Sequence, residues 1–430
     1  MNPVHVRHLS LFVAICVAFM APIAPPAHSQ SAATAVLPLE TTIRTALAES
    51  PDLAIAILDA EALEQIGPQA GALSDPMFGV TVSPRPIHTA RGTQRSQWRL
   101  EQTFPFPGKR RLKKEIADLN AQGAHYQSEA VAQDLVLHVR MAYARLFAIQ
   151  NGLQALSDFR EEVRRFEEAA AAQYEVGRGP QQALLRAQLE KHALGKRELR
   201  FRAEWHAAVR TLGRLMNRPD LLADTLLVER PASLERLAVN DAYGLAVNQR
   251  PEFSFLDAAR ASADKSIGLA RKEYFPDLTL QIAYIDVAKE SPPQSPDGAN
   301  AFAIGAGIRL PIWRASLHAR RQQREIERQR IDEQQRVLET DVQLRSTELR
   351  HRIRLEQQNL QLLSGGLVPQ AEITRDAALA AYTTGRAAFI DLLDAERMLF
   401  ELQLDEISVR ERLHEAVATM HRVLGTPIDL

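Results

Sequence analysis

The chain has 430 residues, a formal net charge of −1, 46% hydrophobic and 6% aromatic residues, and one cysteine. That length suits two or three domains, and the near-balance of charge excludes the basic surface that a nucleic-acid partner needs. With Cys16 the only thiol, a disulfide framework and a thiolate metal site are excluded too.

Residues 1–29 read as a secretory signal. His5, Arg7 and His8 precede an apolar run over 9–21, then helix-breaking Pro22 and Pro26, and Ala27-His28-Ser29 offers small residues at a cleavage site. The apolar run is too short to span a bilayer. Cys16 follows Ile15 rather than the small residue of a lipoprotein signal, which argues against lipidation. No later apolar run approaches the roughly 20 residues of a membrane helix. Export without such a helix leaves the periplasm, secretion, or an outer membrane crossed by strands.

A first helical segment is expected over 38–73, interrupted at Pro51. Residues 76–106 change to period-two alternation: Trp98, Leu100 and Phe104 fall on one face, and Arg99, Glu101 and Thr103 on the other. The partner strand is expected over 77–85, with Pro84 and Pro86 marking its end, and Phe104-Pro-Phe-Pro-Gly-Lys109 turns the chain. Residues 109–176 contain no proline and predict one very long helix. A reversal at Tyr174-Glu-Val-Gly177 follows, where glycine permits a left-handed residue, and a return helix spans 180–216.

The second half replays this order. Residues 236–272 are helical with Pro251 near the start, and strands are expected over 277–287 and 301–311 around a Pro- and Ser-rich linker, 290–300. An outgoing helix covers 314–364 and 370–384, interrupted at Gly365-Gly366 and Pro369, and the return covers 387–424. In the outgoing helix Ile331, Leu338, Val342, Leu349, Ile353 and Leu360 recur with an 11-residue period. That period gives a nearly straight helix rather than a left-handed supercoil. Ser50-Pro-Asp-Leu53 pairs with Arg250-Pro-Glu-Phe253, Phe104-Pro105 with Leu310-Pro311, Tyr174 and Gly177 with Tyr382 and Gly385, and Arg214 and Pro219 with Arg422 and Pro427. Four landmarks in one order indicate a tandem duplication of a unit of about 200 residues, too long for a solenoid repeat. The expected units are 30–230, with a hairpin at about 76–106 and a helix pair at about 109–216, and 231–430, with a hairpin at about 277–311 and a helix pair at about 314–424.

Four strands cannot close a barrel, and an open sheet edge is not tolerated in lipid, so closure needs two or more chains. Two halves of helix, hairpin and long helix pair, with two Tyr-x-x-Gly tips and the segment Ile390-Asp-Leu-Leu-Asp-Ala395, resemble the TolC family of outer-membrane efflux ducts over the whole mature chain. Ser74-Asp-Pro-Met-Phe78 and Phe104-Pro-Phe-Pro-Gly-Lys109 resemble members that serve heavy-metal resistance-nodulation-division (RND) pumps. The fold class this implies is mainly α with a small β part: a homotrimer with a 12-stranded transmembrane barrel, four strands per chain, above a long α-helical tunnel. The implied location is the outer membrane of a Gram-negative bacterium, reaching into the periplasm. The implied partners are a periplasmic adaptor, an inner-membrane RND-type pump and outer-membrane lipid, and the implied work is passive export of heavy-metal cations or drugs.

Asp391 and Asp394 lie three residues apart in the first turns after the second tip. Helix-start acids that suit the local dipole explain them at the simplest level; the resemblance places them at the ring that closes the tunnel's periplasmic end. It also makes the tips, Tyr174, Gly177, Tyr382, Gly385 and Arg386, the adaptor-docking ends. The family's tip latch is matched only in part: its arginine position is Ala387 here, with Arg386 one place early, and its threonine-aspartate is Gln182-Ala183.

An enzyme is not expected, nor a cofactor or a bound metal. No Gly-rich phosphate loop or His-Glu-x-x-His occurs, and His414 and His421 share a helix face without an obvious third ligand. Two alternatives stand beside the efflux duct. One is a duct for type I protein secretion on the same fold; the other is a soluble periplasmic coiled-coil adaptor, which would not need two spaced β-hairpins.

Overall fold

The structure, a computed structural model, describes residues 35–89, 92–177, 180–221, 226–229, 242–288 and 300–426. The expected signal with Cys16, the boundary between 230 and 231, the linker before Asn300, and Pro427 lie outside them.

Leading the chain are β1 (Ala35–Leu37), α1 (Leu39–Glu49), α2 (Pro51–Glu64) and α3 (Ile66–Gly71). Pro51 starts α2, where its missing N–H costs nothing. The hairpin β2 (Met77–Thr89) and β3 (Gly92–Phe104) follows, then α4 (Lys109–Glu175) and α5 (Gln181–Leu215). The second half contains β4 (Leu226–Val228), α6 (Ala242–Gln249), α7 (Pro251–Lys272), β5 (Asp277–Ala288) and β6 (Ala301–Arg309). It ends with α8 (Arg314–Leu362), α9 (Val368–Thr383) and α10 (Phe389–Leu424).

Two expectations are corrected. The strand expected over 77–85 runs on to Thr89, because Pro84 and Pro86 sit in a bulge instead of ending it. Val82 pairs with Ser96 and Ile87 with Gln94, so residues 83–86 face only Arg95. Prolines, which cannot donate to a ladder, are tolerated at such bulges. The break expected at Gly365-Gly366 and Pro369 is a π-helical turn, Leu363–Leu367, that joins α8 directly to α9. Pro369 lies in the first turn of α9, so the wider turn absorbs the missing N–H without stopping the rod. The parallel pair β1–β4, with Val36 opposite Leu227, has no counterpart in the expectations. Tyr143 fastens it: its hydroxyl donates to Leu37 O at 2.8 Å and accepts from Glu229 N at 2.9 Å.

The 67 residues of α4 make a rod of about 100 Å at 1.5 Å per residue, and α4 is the mast of the molecule. Ile43, Val139, Tyr143, Leu146, Val209 and Leu212 join α1, α4 and α5 in one core. Phe253, Val342, Leu349, Val417 and Met420 join α7, α8 and α10 in a second, with Leu338 and Leu360 packed against it, so the 11-residue stripe does face inward. Phe159, Phe166, Leu194, Phe389 and Phe400 join α4, α5 and α10 toward the far end.

At the other end the two hairpins form one antiparallel sheet in the order β2-β3-β5-β6, with β3 and β5 paired across the halves. The alternation aligns across it: Val80, Trp98, Tyr284 and Phe302 stand in one row, and Leu100, Ile282 and Ile304 in the next. These apolar side chains are exposed. Sheet and rods meet at the Phe104–Lys109 turn. Lys109 Nζ donates to Asp277 Oδ1 at 2.7 Å and to Phe275 O at 2.9 Å, Phe106 N donates to the same Asp277 Oδ1 at 2.8 Å, and Phe106 stacks on Phe275 at 4.6 Å.

Candidate functional site

The two helix reversals lie at the end of the rods opposite the sheet. Gly177 and Gly385 take φ of +67° and +70°, with open space where a Cβ would be. After α9, Gly385 N donates to Tyr382 O at 2.9 Å and Arg386 N to Ala381 O at 2.9 Å, the paired bonds of a Schellman stop. Gly177 N likewise donates to Tyr174 O at 3.0 Å. The glycines are therefore required by backbone conformation and not by crowding. Tyr174 is exposed, whereas Tyr382 packs edge-on against Phe389 at 6.0 Å, and Phe389 against Phe166 at 6.0 Å. Arg386 folds back on its own turn, with Nε donating to Thr384 Oγ1 at 3.0 Å. The simple reading of Asp391 is realised, since its Oδ2 accepts from Ala388 N at 3.0 Å. Ala388 has no hydroxyl to reciprocate, so this is half a capping box.

Asp391 and Asp394 are both exposed on the first turns of α10, above buried Leu392 and Leu393. Sequence reasoning missed what surrounds them. Arg397 lies 3.5 Å from Asp394 and pairs with Glu190 of α5, and Arg197 of α5 pairs with Glu401 at 2.5 Å. Only the spacing of Asp394 and Arg397 on one helix could have hinted at this. Asp394 and Glu190 thus share the Arg397 guanidinium, while Asp391 caps the start of α10. Deeper in, Glu396 is buried, and burial holds its carboxyl above the ordinary glutamate range against the pull of Arg375 at 3.9 Å. Among the described residues no three His, Cys, Asp or Glu side chains are placed to hold a metal ion. No described helix is long and apolar enough to cross a membrane, and the aligned apolar rows of the sheet are exposed.

The family described as outer membrane efflux protein matches residues 42–218 and 242–426. The cobalt-zinc-cadmium resistance protein CzcC of Cupriavidus metallidurans is 23% identical over 440 aligned positions, covering 97% of this chain and all of that protein. The probable outer membrane lipoprotein SilC of Salmonella typhimurium is 26% identical over 159 positions, 36% of this chain. The fold is similar to that of the outer membrane protein VceC from Vibrio cholerae, with a TM-score of 0.74 at 21% identity over 91% of this chain and 97% of that one. It is also similar to CusC, with a TM-score of 0.67 at 19% identity over 90% of this chain and 92% of that one.

Proposed function

Because the chain belongs to the outer membrane efflux protein family, we propose that it is the outer-membrane duct of a tripartite efflux system, exporting heavy-metal cations passed on by an inner-membrane RND-type pump and a periplasmic adaptor. The observation that carries the outer-membrane placement is the sheet. Its aligned apolar rows are exposed, and β2 and β6 are left as edges, a sheet built for lipid outside and for closure with other copies. A homotrimer closes it as a barrel of twelve strands, within the range of such barrels. The cargo class follows the relative CzcC, whose name carries cobalt, zinc and cadmium resistance and which matches nearly the whole chain. The chain does no chemistry of its own in this reading, and membership of this family sets the soluble adaptor aside.

An internal duplication supports the tube. Beyond the sequence landmarks, α5 and α10 end alike: Asn217 and Gly425 both take left-handed φ, 52° and 66°. Arg218 N donates to Gly213 O as Thr426 N does to His421 O. Buried Leu135, Leu146, Ile149 and Leu156 of α4 are each followed 207 positions later by buried Val342, Ile353, Glu356 and Leu363. After Leu363 the offset becomes 208, as from Val163 to Ala371. The π-turn between absorbs that one extra residue, which is what a π-turn accommodates.

At the far end the tips Tyr174–Gly177 and Tyr382–Arg386 are the adaptor-docking ends, and Asp391 with Asp394 forms an acidic ring at the narrow mouth. Clustered carboxylates there favour cations and bind multivalent ones. A deletion strain regains cobalt, zinc and cadmium tolerance with the wild-type gene, and the detergent-extracted protein cross-links as a trimer. In a planar bilayer Asp391→Ala with Asp394→Ala lowers cation selectivity and abolishes block by trivalent cations from the periplasmic side. Unchanged metal tolerance on deletion refutes the cargo; unchanged selectivity and block return both acids to helix capping.

A further inference from the structure

Each long strand continues into a helix at the joint: α3 leads into β2, β3 into α4, α7 into β5 and β6 into α8. The helices therefore stand in the order of the strands, with α2 and α3 against α4, α4 against α7, and α7 against α8. A cavity of about 570 Å³ on this layer takes lining from every member, including Leu63 of α2, Ile66 of α3, Ile116 of α4, Ala263 of α7 and Ile331 of α8. A cavity that touches every helix of a row lies on the concave side of the row. A sheet that closes with its apolar rows toward lipid curves away from the lipid. The concave side is then the tunnel wall, just below the membrane.

Four basic and two acidic side chains line this cavity, and the two carboxylates are already engaged. Arg320 Nη1 donates to Glu273 Oε2 at 2.8 Å. Glu327 accepts from Arg324 Nη1 at 2.8 Å on one oxygen and from Gln323 Nε2 at 2.9 Å on the other. Lys113 on α4 and Arg330 on α8 are left over. Both are exposed, and among the described residues neither has an ion-pair partner. Neutral donors stand beside them. Ser262 Oγ donates to Asn120 Oδ1 at 2.7 Å, which leaves the Asn120 Nδ2 hydrogens free, and Ser266 Oγ has no protein partner among the described residues. Ala259, Ala263 and Ala270 on the same face of α7 are small, and they leave the space that these donors surround.

We propose that this cavity binds a polyvalent oxyanion of the phosphate type, held by Lys113 and Arg330 and oriented by Asn120 and Ser266. This rests on the duct proposed above and adds a ligand site to its inner wall. A guanidinium presents a planar fork that matches two oxygens of such an anion, and an ammonium adds a compact point charge. Low-dielectric walls on a concave surface focus the field of the surplus charges into the cavity. A cation would meet that surplus, and an apolar solute would leave the amide and hydroxyl donors without acceptors. A polyvalent anion satisfies both groups at once. The site also answers a difficulty in the duct itself. Cargo cations favoured by the acidic ring at the far mouth would meet a positive wall at the membrane end, and a bound oxyanion offsets that charge.

The test uses the full-length protein in a planar bilayer, with inorganic tripolyphosphate as the probe, added from the extracellular side. Conductance should fall with probe concentration in a saturable way. Chloride at matched ionic strength should not reproduce the fall; if it does, the effect is screening and the site is overturned. Lys113→Gln with Arg330→Gln should raise the half-blocking concentration by about tenfold or more, since charge-assisted bonds are lost. Lys113→Arg with Arg330→Lys keeps both charges and should retain block. Both positions are exposed, and helical circular dichroism checks that each variant is folded. Block that persists in the glutamine variant, or that is absent from the wild-type channel, overturns the site and leaves the duct standing. A protein that forms no channel overturns the duct. In that case equilibrium binding of tripolyphosphate to the detergent-extracted protein decides the site: saturable binding lost in the glutamine variant supports it, and no binding overturns it.

Discussion

Removing the carboxylate of Asp277 should loosen the joint between sheet and rods, and the structure sets the size of the effect. Asp277 Oδ1 accepts from Lys109 Nζ and from Phe106 N, and the Lys109 side chain is 9% exposed against 28% for Asp277. In Asp277→Ala the Lys109 ammonium keeps only Phe275 O, and the Phe106 N–H loses its acceptor. Breaking a buried pair from one side costs about 3–5 kcal/mol. The partial exposure of Asp277 admits water, so the expected loss is about 2–3 kcal/mol. Lys109→Met keeps the length of the side chain and removes the stranded charge, so Asp277→Ala with Lys109→Met should be more stable than Asp277→Ala alone. The assay is thermal loss of helical circular dichroism in detergent at a fixed scan rate, for the four members of the cycle. Additive losses would refute the reasoning, because they would mean that the cost does not come from a charge left without its partner.

Glu252 adds a pH dependence. Burial raises its pKa, but the bonds from Arg422 and Arg250 outweigh burial and hold it below the ordinary 4.5. A depressed folded pKa gives stability that is present above the unfolded value and lost as pH falls through the folded one. Wild-type melting temperature should therefore hold from neutral pH down to about 4.5 and fall below it, and Glu252→Gln should lower the neutral plateau and flatten that fall. Gly385→Val forces a branched side chain into left-handed backbone at about 1–2 kcal/mol or more; reduced metal tolerance at normal trimer abundance is expected, and full tolerance would remove the tip from the docking surface. Tyr143→Phe leaves Leu37 O and Glu229 N without their partner, at about 1–3 kcal/mol. Hydrogen exchange should then accelerate at β1 and β4, with α4 unchanged.

Much of this molecule was legible in its sequence because its determinants are local. The proline-free run that opens at Lys109 predicts α4 to within a residue of its end, since neither helix periodicity nor a breaker depends on the rest of the fold. Period-two alternation located β3, β5 and β6, with β2 expected as the partner of β3, and the left-handed turns at Gly177 and Gly385 followed from the glycines themselves. The errors share one cause: a neighbour decided what the residue did. Pro84 and Pro86 failed to end β2 because β3 continues to pair beyond the bulge. Pro369 failed to break the rod because a π-turn precedes it. The pair β1–β4 was invisible because two three-residue strands carry no period; a tyrosine hydroxyl on a distant helix holds them. The same limit applies at the tips. The sequence marked Asp391 and Asp394 as acids at a helix start and set Arg397 three residues after Asp394, but Glu190, which holds Arg397 from α5, is brought there by packing between the two halves. Charge pairs across helices depend on register between elements, and register is set by the buried faces of whole rods. Such contacts are decided only when the tertiary structure forms.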